Sequence, residues 1–359
     1  MIESQQIIPV VLSGGSGTRL WPTSSATRQK QFQALAGDVS MFRQTVDRVS
    51  GRDRFAAPLV VCGPSHVEQV TSDLTAADVT DARIVVEPAA RNTAPAIALA
   101  AGLCEAQSVM LVMPADHVMT DVQTFLAAVE LALPPVREGA LATFGIDPSR
   151  PETGYGYIAA GNILDGHSAV YGVNRFVEKP GRAAAEAMLE MGGHYWNAGI
   201  FLMRADRYLA ELARQQPAIH KACADAIAQA VAGDGIVHPS EAPFLACPSN
   251  SIDYAVMEGA GNVVVVPVDP GWSDVGGWAA LYELGSKDED DNVLIGDVVG
   301  VDIRRNYIRA SEGKRVSISG LSDLVVVVEG DDILILPRER AQDVKLLAQK
   351  RSEEAKKTG

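Results

Sequence analysis

Short apolar runs alternate with segments of helical spacing through the first two thirds of the chain. The apolar runs predict buried strands over Ile7–Leu12, Leu59–Cys62, Ile84–Val86, Val109–Met113 and Leu141–Phe144. A period near that of a helix recurs over Met41–Val49, Thr93–Cys104, Thr124–Leu133, Arg182–Met191 and Arg207–Val231. This alternation predicts an α/β fold with a mainly parallel sheet covered by helices on both faces. In such sheets, ligands bind beyond the carboxyl ends of the strands.

The pattern changes near residue 285, where a charged connector begins. Short β-rich runs follow it, and a helix over Arg338–Lys350 closes the chain. We therefore expect a large α/β domain over residues 1–284 and a small β-rich domain ending in a helix over residues 285–359. The β-rich part carries no cluster of residues that indicates catalysis.

Composition narrows the classes of partner. The formal net charge of the 359 residues is −14, so a nucleic acid or an anionic membrane surface is not an expected partner. The four cysteines show no C-x-x-C pairing, which indicates reduced thiols in a cytosolic protein. Residues 1–6 lack the features of a signal peptide, and no apolar run reaches the roughly 18 residues of a membrane span. We expect a cytoplasmic location.

A glycine-rich loop follows the first predicted strand, with the sequence Gly14-Gly15-Ser16-Gly17-Thr18-Arg19. Such backbone bends tightly and offers several N–H donors to one anion, and the guanidinium adds a fork suited to phosphate. The Walker pattern is absent. A dinucleotide pattern occurs at residues 154–159, but neither an apolar strand precedes it nor a helix signal follows it. The N-terminal loop therefore predicts a nucleotide phosphate site, with an ordinary turn as the alternative.

Two aspartates follow apolar strands and are candidate metal ligands. Asp116 ends the run that begins at Val109, and Asp274 lies shortly after the run that begins at Val263. Carboxylates suit Mg²⁺, which also binds substrate phosphates. A single aspartate after a strand is more often a helix cap than a metal ligand. The neighbouring His117 is interpreted as structural.

Further polar residues suit a phosphate or a sugar. Lys30 could add a point charge to a triphosphate, although alone it would be a surface charge. Glu178 and Lys179 place a carboxylate beside an ammonium, which suits a ligand with hydroxyls on one side and a phosphate on the other. Asn197 can donate and accept hydrogen bonds, as hydroxyl recognition requires, and an Asx turn is its alternative.

Nine strings occur in order between residues 11 and 278: GGSGTRLWP, KQF, EPAARNTAPAIALAA, MPADH, PETGYGYI, FVEKP, WNAGIF, SIDYAVME and WSDVGGW. With these strings the chain resembles the sugar-nucleotide pyrophosphorylases, and most closely the mannose-1-phosphate guanylyltransferases. The resemblance implies a Rossmann-like nucleotidyltransferase sheet in the first domain and a left-handed β-helix-like tail.

The resemblance also implies a role for each candidate. Arg19, Lys30 and Lys179 would be catalytic, and Asp116 and Asp274 would bind Mg²⁺, with Mn²⁺ as the alternative. The nucleotide would contact the backbone around Leu12, Gly14 and Gly15. The loop argument adds Ser16, Gly17 and Thr18 to the nucleotide candidates, and a separate argument from base recognition adds Glu87, Asn92 and Thr93. The sugar phosphate would contact Gly156, Glu178, Lys179 and Asn197.

The implied reaction transfers GMP from GTP to mannose 1-phosphate by in-line attack at the α-phosphorus, giving GDP-mannose and pyrophosphate. The alternatives are another sugar 1-phosphate (glucose or a deoxyheptose), another nucleoside triphosphate, or a non-catalytic sugar-nucleotide-binding regulatory subunit. The resemblance suggests a homodimer formed through the tail. Many bacterial members carry a further cupin domain with phosphomannose isomerase activity; because this sequence stops at Gly359, we expect that activity to be missing.

The choice of base can be argued from Glu87, which follows the strand-like run Ile84–Val86. A carboxylate can accept hydrogen bonds from both N1–H and the exocyclic amine of guanine, a pair that adenine and uracil lack. Our hypothesis is that Glu87 reads the base, with Asn92 and Thr93 nearby at a helix start. The alternative is a surface acid.

Departures from the family pattern, such as WNAG for WNSG and Arg28-Gln29 for Tyr-Pro, leave every charged role filled but bear on sugar or base preference.

Overall fold

Strands and helices alternate along most of the chain, and short strands dominate its last part. The computed structural model describes residues 6–15, 17–25 and 27–358. Its strands are β1 (Ile8–Ser13), β2 (Leu59–Cys62), β3 (Arg83–Val86), β4 (Val109–Pro114), β5 (Val118–Met119), β6 (Leu141–Ile146), β7 (Tyr157–Ile163), β8 (Tyr171–Val177), β9 (His194–Arg204), β10 (Val231–Gly233), β11 (Ile236–His238), β12 (Val263–Pro267), β13 (Trp272–Ser273), β14 (Val293–Ile295), β15 (Asp297–Val301), β16 (Tyr307–Ala310), β17 (Arg315–Ser319), β18 (Leu324–Glu329) and β19 (Asp332–Pro337).

The helices are α1 (Met41–Asp47), α2 (Val67–Ala76), α3 (Thr93–Ala101), α4 (Val122–Arg137), α5 (Arg182–Met191), α6 (Ala205–Gln215), α7 (Pro217–Ala228), α8 (Glu241–Leu245), α9 (Ile252–Ala255), α10 (Trp278–Leu284) and α11 (Val344–Thr358). Short 3-10 helices cover Thr18–Leu20, Lys30–Phe32, Pro64–His66, Met257–Gly259 and Arg338–Asp343. Within the described ranges, no helix has both the length and the apolar character of a membrane span.

The largest sheet contains eleven strands in the order β10-β11-β3-β2-β1-β4-β9-β6-β12-β8-β7. It belongs to the first of two compact units, which comprises Met1–Gly14, Thr45–Ala115 and Met119–Trp272. Strands β3, β2, β1 and β4 are parallel neighbours, whereas β9 is antiparallel to β4, β6 and β7. The sheet is therefore more mixed than the mainly parallel sheet expected. Strands β7 and β8 are also antiparallel, because residues 164–170 between them are too few for a parallel crossover of about a dozen residues.

The register of the parallel strands aligns their carboxyl ends. Ser13 lies opposite Cys62, and Cys62 lies opposite Val86. The glycine-rich loop and Glu87 therefore leave the sheet at the same edge, as expected for a parallel arrangement.

The core of the first unit is built around α3. Residues 94–101 of this helix are all buried, as is typical of a helix that is apolar on every side. Helix α3 packs against β1, α6 and α7. Buried apolar side chains from the sheet and these helices complete the core, among them Val10, Met110, Phe201, Tyr208 and Ile219.

Two helix predictions need correction. The stretch Arg207–Val231 was expected to be helical throughout, but it contains the end of α6, all of α7 and the first residue of β10. The break falls at Pro217, which starts α7 and which cannot continue the preceding helix without losing a backbone hydrogen bond. The predicted helix Arg338–Lys350 also differs, because Arg338–Asp343 form a 3-10 helix and α11 runs over Val344–Thr358. Helix α2 is not among the predicted helices; its buried residues are Val70 and Leu74.

The second unit comprises Gly15–Gln44, Asp116–Val118 and Ser273–Gly359. Its strands β14, β16 and β18 stack in parallel, with β19 antiparallel at the edge. Buried asparagines connect successive turns: Asn306 N donates to Asn292 Oδ1 at 3.0 Å, and Leu324 N donates to Asn306 Oδ1 at 2.9 Å. The core contains Leu20, Val275, Trp278, Tyr307 and Val344. The predicted boundary between residues 284 and 285 stays a prediction.

Candidate functional site

The glycine-rich loop begins where β1 ends. The carbonyl of Ser13 contacts His66 Nδ1 at 3.0 Å, which fixes the last residue of the strand. Gly14 and Gly15 are exposed, so their backbone is accessible. Ser16, predicted to contact the nucleotide, lies outside the described residues.

Gly17 is required by its backbone and by its neighbour. Its φ of +55° lies in the left-handed region, which glycine adopts without the strain of a side chain. A Cβ at this position would overlap the Cβ of Lys30. The 3-10 helix Thr18–Leu20 follows, with Leu20 fully buried and Arg19 exposed. The buried leucine therefore anchors the exposed guanidinium.

Lys30 joins the two predicted metal ligands. Its side chain is 8% exposed, and its Nζ donates to Asp116 Oδ2 at 2.8 Å and to the carbonyl of Asp274 at 2.5 Å. Burial by itself would raise the pKa of the Asp116 carboxyl, but the charges of Lys30 and His117 and several hydrogen bonds bring that pKa below its usual value. Asp116 is therefore an anion at neutral pH, as metal binding requires.

The loop around Asp274 has a strained backbone. Asp274 Oδ1 accepts a hydrogen bond from Gly276 N at 3.0 Å. Val275 between them is 1% exposed and has a φ of +48°, a conformation that is rare for a β-branched residue. Strain of this kind costs of order 1–3 kcal/mol and tends to occur at functional sites. No pattern in the sequence indicates this strain.

These residues line one cavity of about 340 Å³. Its wall contains the predicted residues Gly17, Arg19, Lys30, Asp116 and Asp274, together with Leu20, His117, Val275, Gly276 and Lys345. Lys345, on α11, was not predicted. Among the residues that the structure describes, no group of three or more His, Cys, Asp or Glu gathers as a metal site. The cavity nevertheless offers two carboxylates, and Mg²⁺ often uses one or two carboxylates and completes its shell with water and substrate phosphates.

A second cluster, in the first unit, joins the predicted sugar phosphate residues. Gly156 precedes β7, Glu178 follows β8, and Asn197 lies within β9. The backbone N–H of Asn197 donates to the carbonyl of Gly156 at 2.9 Å. A Cβ at Gly156 would lie 2.5 Å from Glu178 Oε2, so a larger residue here would displace the end of the Glu178 side chain. The pairing of β7 with both β8 and β9 therefore brings the three residues together.

The side chain of Asn197 is held by several hydrogen bonds. Its Oδ1 accepts from Thr143 Oγ1 at 2.9 Å and from Gly199 N at 3.2 Å, and its Nδ2 donates to Asp253 Oδ1 at 2.9 Å. Because both acceptor positions of Oδ1 are used, Asn197 can offer a ligand its second N–H but no acceptor, whereas both abilities were expected from the sequence. Asp253 was not predicted as a site residue, although it lies in the string SIDYAVME; burial and Glu178 raise its pKa to about 6.

Lys179 is adjacent to Glu178 in space as well as in sequence. Its Nζ lies 2.5 Å from Glu178 Oε1, with side-chain exposures of 59% and 7% respectively. Burial would lower the pKa of the Lys179 ammonium, but Glu178 and Asp253 raise it overall. Lys179 has a φ of +47°, another strained position beside a candidate residue. The ammonium is therefore a stable cation that a ligand can reach.

Glu87 follows β3 with its carboxyl largely enclosed. Its Oε2 is buried and accepts no hydrogen bond, and burial raises the pKa of the carboxyl to about 7. A buried acceptor without a partner is unusual in folded proteins. The alternative of a plain surface acid therefore does not describe this side chain.

Asn92 and Thr93 form the start of α3. Asn92 Oδ1 accepts from Thr93 N at 2.8 Å, and Thr93 Oγ1 accepts from Ile252 N at 2.9 Å. Asn92 has a φ of +69°, a conformation that asparagine tolerates better than most residues. Leu12, in β1, is partly buried, and its carbonyl accepts from Ala115 N at 3.0 Å.

Comparison with known proteins gives matches to two families. The nucleotidyl transferase family matches residues 8–291. A beta-helix domain described as MannoseP isomerase/GMP-like matches residues 296–350. These matches confirm the predicted fold class, a nucleotidyltransferase sheet followed by a β-helix-like domain.

Individual proteins are similar over nearly the whole chain. A mannose-1-phosphate guanylyltransferase of Escherichia coli (strain K12) is 43% identical over 96% of this chain and 73% of its own length. The alginate biosynthesis protein AlgA of Pseudomonas aeruginosa is 44% identical over 97% of this chain and 73% of its own length. Among solved structures, one from Thermus thermophilus, titled a mannose-1-phosphate geranyltransferase, has a TM-score of 0.82 and 31% identity and covers 97% of this chain and 99% of its own.

Proposed function

This chain belongs to the nucleotidyl transferase family, as a relative of the mannose-1-phosphate guanylyltransferases, and we propose that it uses two residue clusters to make GDP-mannose. GTP and mannose 1-phosphate are the substrates, and pyrophosphate is the second product. The assignment as an enzyme and the reaction predicted from the sequence are supported by relatives that are 40–44% identical over nearly the full chain.

One observation carries the proposal: Lys30 donates to the carboxylate of Asp116 and to the backbone carbonyl of Asp274, in a cavity that also contains Arg19. These residues come from distant parts of the sequence. An arrangement with cations and carboxylates on one cavity wall suits a triphosphate with its divalent cation. A non-catalytic regulatory subunit would have no need to keep all four groups.

The nucleotide phosphates are proposed to bind at this cavity, held by the backbone of the glycine-rich loop, by Arg19 and by Lys30. Nucleotidyl transferases of this family generally use a divalent metal. Asp116 and Asp274 would hold that metal, because both carboxylates line the cavity and Asp116 is ionised. When bound, Mg²⁺ would neutralise charge on the phosphates; Mn²⁺ is the alternative.

The sugar phosphate is proposed to bind at the cluster of Gly156, Glu178, Lys179 and Asn197. Lys179 would contact the phosphate, because it is the exposed cation of that cluster. Glu178 would accept from a sugar hydroxyl, and Asn197 would donate to one through its second N–H. The absence of a Cβ at Gly156 keeps its backbone close to these groups.

The reaction needs no general base and no covalent intermediate with the enzyme. An oxygen of the sugar phosphate attacks the α-phosphorus in line, and the bond from that phosphorus to pyrophosphate breaks. The nucleophile is already an anion, since the second pKa of a phosphate monoester is about 6. The barrier comes from bringing two anions together, so the protein contributes positioning and charge neutralisation.

Glu87 is proposed to read guanine, with Asn92 and Thr93 binding nearby parts of the nucleotide. The unpartnered Oε2 of Glu87 supports this role. Guanine would donate hydrogen bonds to this carboxyl from its N1–H and its exocyclic amine. Adenine and uracil do not carry this pair of donors.

The proposed function is tested with a panel of substrates. Wild-type enzyme is assayed for pyrophosphate release from GTP, ATP, UTP and dTTP with mannose, glucose and heptose 1-phosphates, each with Mg²⁺ and with Mn²⁺. We expect GTP with mannose 1-phosphate to have the highest kcat/KM. Highest kcat/KM for another pair would assign that pair instead, and no release from any pair would refute catalysis. Homodimer formation and a cytoplasmic location stay predictions.

A further inference from the structure

Lys345 lines the same cavity as Arg19, although it lies in the C-terminal part of the chain where no functional residue was expected. It is the second residue of α11. The residue before it, Val344, is fully buried. This places the start of the helix firmly and leaves Lys345 exposed at the cavity wall.

The anchors of Lys345 and Arg19 belong to one core. Val344 and Leu20 are both 0% exposed and lie in the same apolar cluster of the second unit. Helix α11 also packs against the 3-10 helix that carries Arg19. The two cations are therefore held beside one cavity by adjoining buried residues, rather than by chance contact of flexible side chains.

Two of the cations on the cavity wall are not neutralised by a neighbouring carboxylate among the described residues. Lys30 is paired with Asp116 at 2.8 Å. Within the part of the chain that the structure describes, neither Arg19 nor Lys345 forms an ion pair. Two cations that share a cavity without a carboxylate partner favour a polyanionic ligand, which can bridge both.

We propose that Lys345 binds the terminal phosphates of the nucleotide substrate and, after transfer, the pyrophosphate product. The inference rests on the proposed function and extends the nucleotide site to the C-terminal helix. The ligand class is a polyphosphate, because the proposed function places a nucleoside triphosphate at this cavity and its negative charge extends over several phosphate groups. Lys345 is a binding residue for the part of the nucleotide that departs.

The test compares Lys345→Met with Lys345→Arg and with Lys350→Met. Methionine keeps the apolar stem without the charge, arginine keeps the charge, and Lys350 is an exposed lysine of the same helix outside the cavity. Initial rates are measured forward with GTP and in reverse with GDP-mannose and pyrophosphate. Circular dichroism and thermal melting confirm folding.

For Lys345→Met we expect KM for pyrophosphate and for GTP to rise about tenfold, the lower range for a charge-assisted contact, because the side chain is exposed. KM for mannose 1-phosphate should change by less than about twofold, Lys345→Arg should recover most of the loss, and Lys350→Met should behave as wild type. An active wild type with unchanged KM values in Lys345→Met would overturn this inference alone. An inactive wild type would instead overturn the proposed function.

A second measurement needs no variant. Wild-type enzyme is treated with acetic anhydride, with and without Mg²⁺ and inorganic pyrophosphate, and acetylation is followed by mass spectrometry. Pyrophosphate should slow acetylation of Lys345 about fivefold or more and leave Lys350 unchanged. Equal rates at Lys345 with and without pyrophosphate would refute the contact even if the variants fail to fold.

Discussion

Glu87→Gln provides a quantitative prediction that separates stability from recognition. The substitution removes the charge of a carboxyl whose Oε2 is buried without a hydrogen-bond partner. It changes the shape of the side chain little. We expect it to stabilise the free enzyme at alkaline pH and, at the same time, to reduce the preference for GTP.

The stability effect follows from the pKa of Glu87, which burial raises from 4.5 to about 7. A carboxyl with a raised pKa is more protonated in the folded state, so its contribution is most favourable below pH 4.5 and is lost as the pH rises to about 7. The full loss is roughly 3 to 4 kcal/mol, because the two pKa values differ by about 2.5 and each pKa unit is worth about 1.36 kcal/mol. Between about pH 5.5 and about pH 8.5, the same linkage lowers the contribution of Glu87 to the free energy of unfolding by roughly 2 kcal/mol.

The assay is urea unfolding of the wild type and of Glu87→Gln at both pH values. The free energy of unfolding of the variant, relative to wild type, should increase by roughly 2 kcal/mol from the lower pH to the higher. Glu105→Gln, at an exposed position, is the matched control and should show no such increase. A pH-independent difference for Glu87→Gln would refute the argument that burial of this carboxyl is costly.

Recognition of the base is measured on the same proteins. Binding of GTP requires ionised Glu87 if its oxygens accept from guanine, so the Kd for GTP should rise as the pH falls below about 7, by up to tenfold per pH unit. Glu87→Gln should lose this dependence and most of its preference for GTP over ATP and UTP. Full retention of the preference would remove Glu87 as the base reader.

Three further variants test the two clusters. Asp274→Ala should fold normally but lose about 10²–10⁴ in kcat at all Mg²⁺ concentrations, measured as pyrophosphate release; near wild-type turnover would contradict its role. Lys179→Ala should mainly raise KM for mannose 1-phosphate, whereas a rise confined to KM for GTP would reassign it. Gly17→Ala should reduce both thermal stability and kcat, because the φ of +55° and the Cβ of Lys30 leave no room for a methyl group; unchanged values would show that the loop adapts.

Much of the architecture could be predicted because a short continuous apolar run in the sequence indicates a buried strand. Strand β2 matches its predicted range, Leu59–Cys62. Strands β3 and β4 differ from theirs by one residue at one end, and β1 is shifted by one residue at both ends. The antiparallel β9 could not be placed from the pattern. Its position between β4 and β6 depends on long-range pairing, and a buried strand has the same apolar pattern in either direction.

The candidate site was only partly readable from the sequence. Lys30 and Asp116 were found because a charged residue after a loop or strand suggests chemistry, and the structure joins them. Lys345 gave no such signal, since a lysine near a helix start is usually a solvated charge. Asp253 was missed for a different reason. Its contact with Asn197 depends on how α9 packs against β9, and the sequence pattern does not predict which helix packs against which strand.

The most direct test of the central claim is a crystal structure of this chain with Mg²⁺ and a GTP analogue that has a methylene group between the α- and β-phosphorus atoms. We expect phosphate oxygens within hydrogen-bond distance of Arg19 and Lys30, and the metal bound to Asp116 and Asp274. Phosphates bound elsewhere on the protein, with the cavity of Lys30 holding only water, would contradict the central claim.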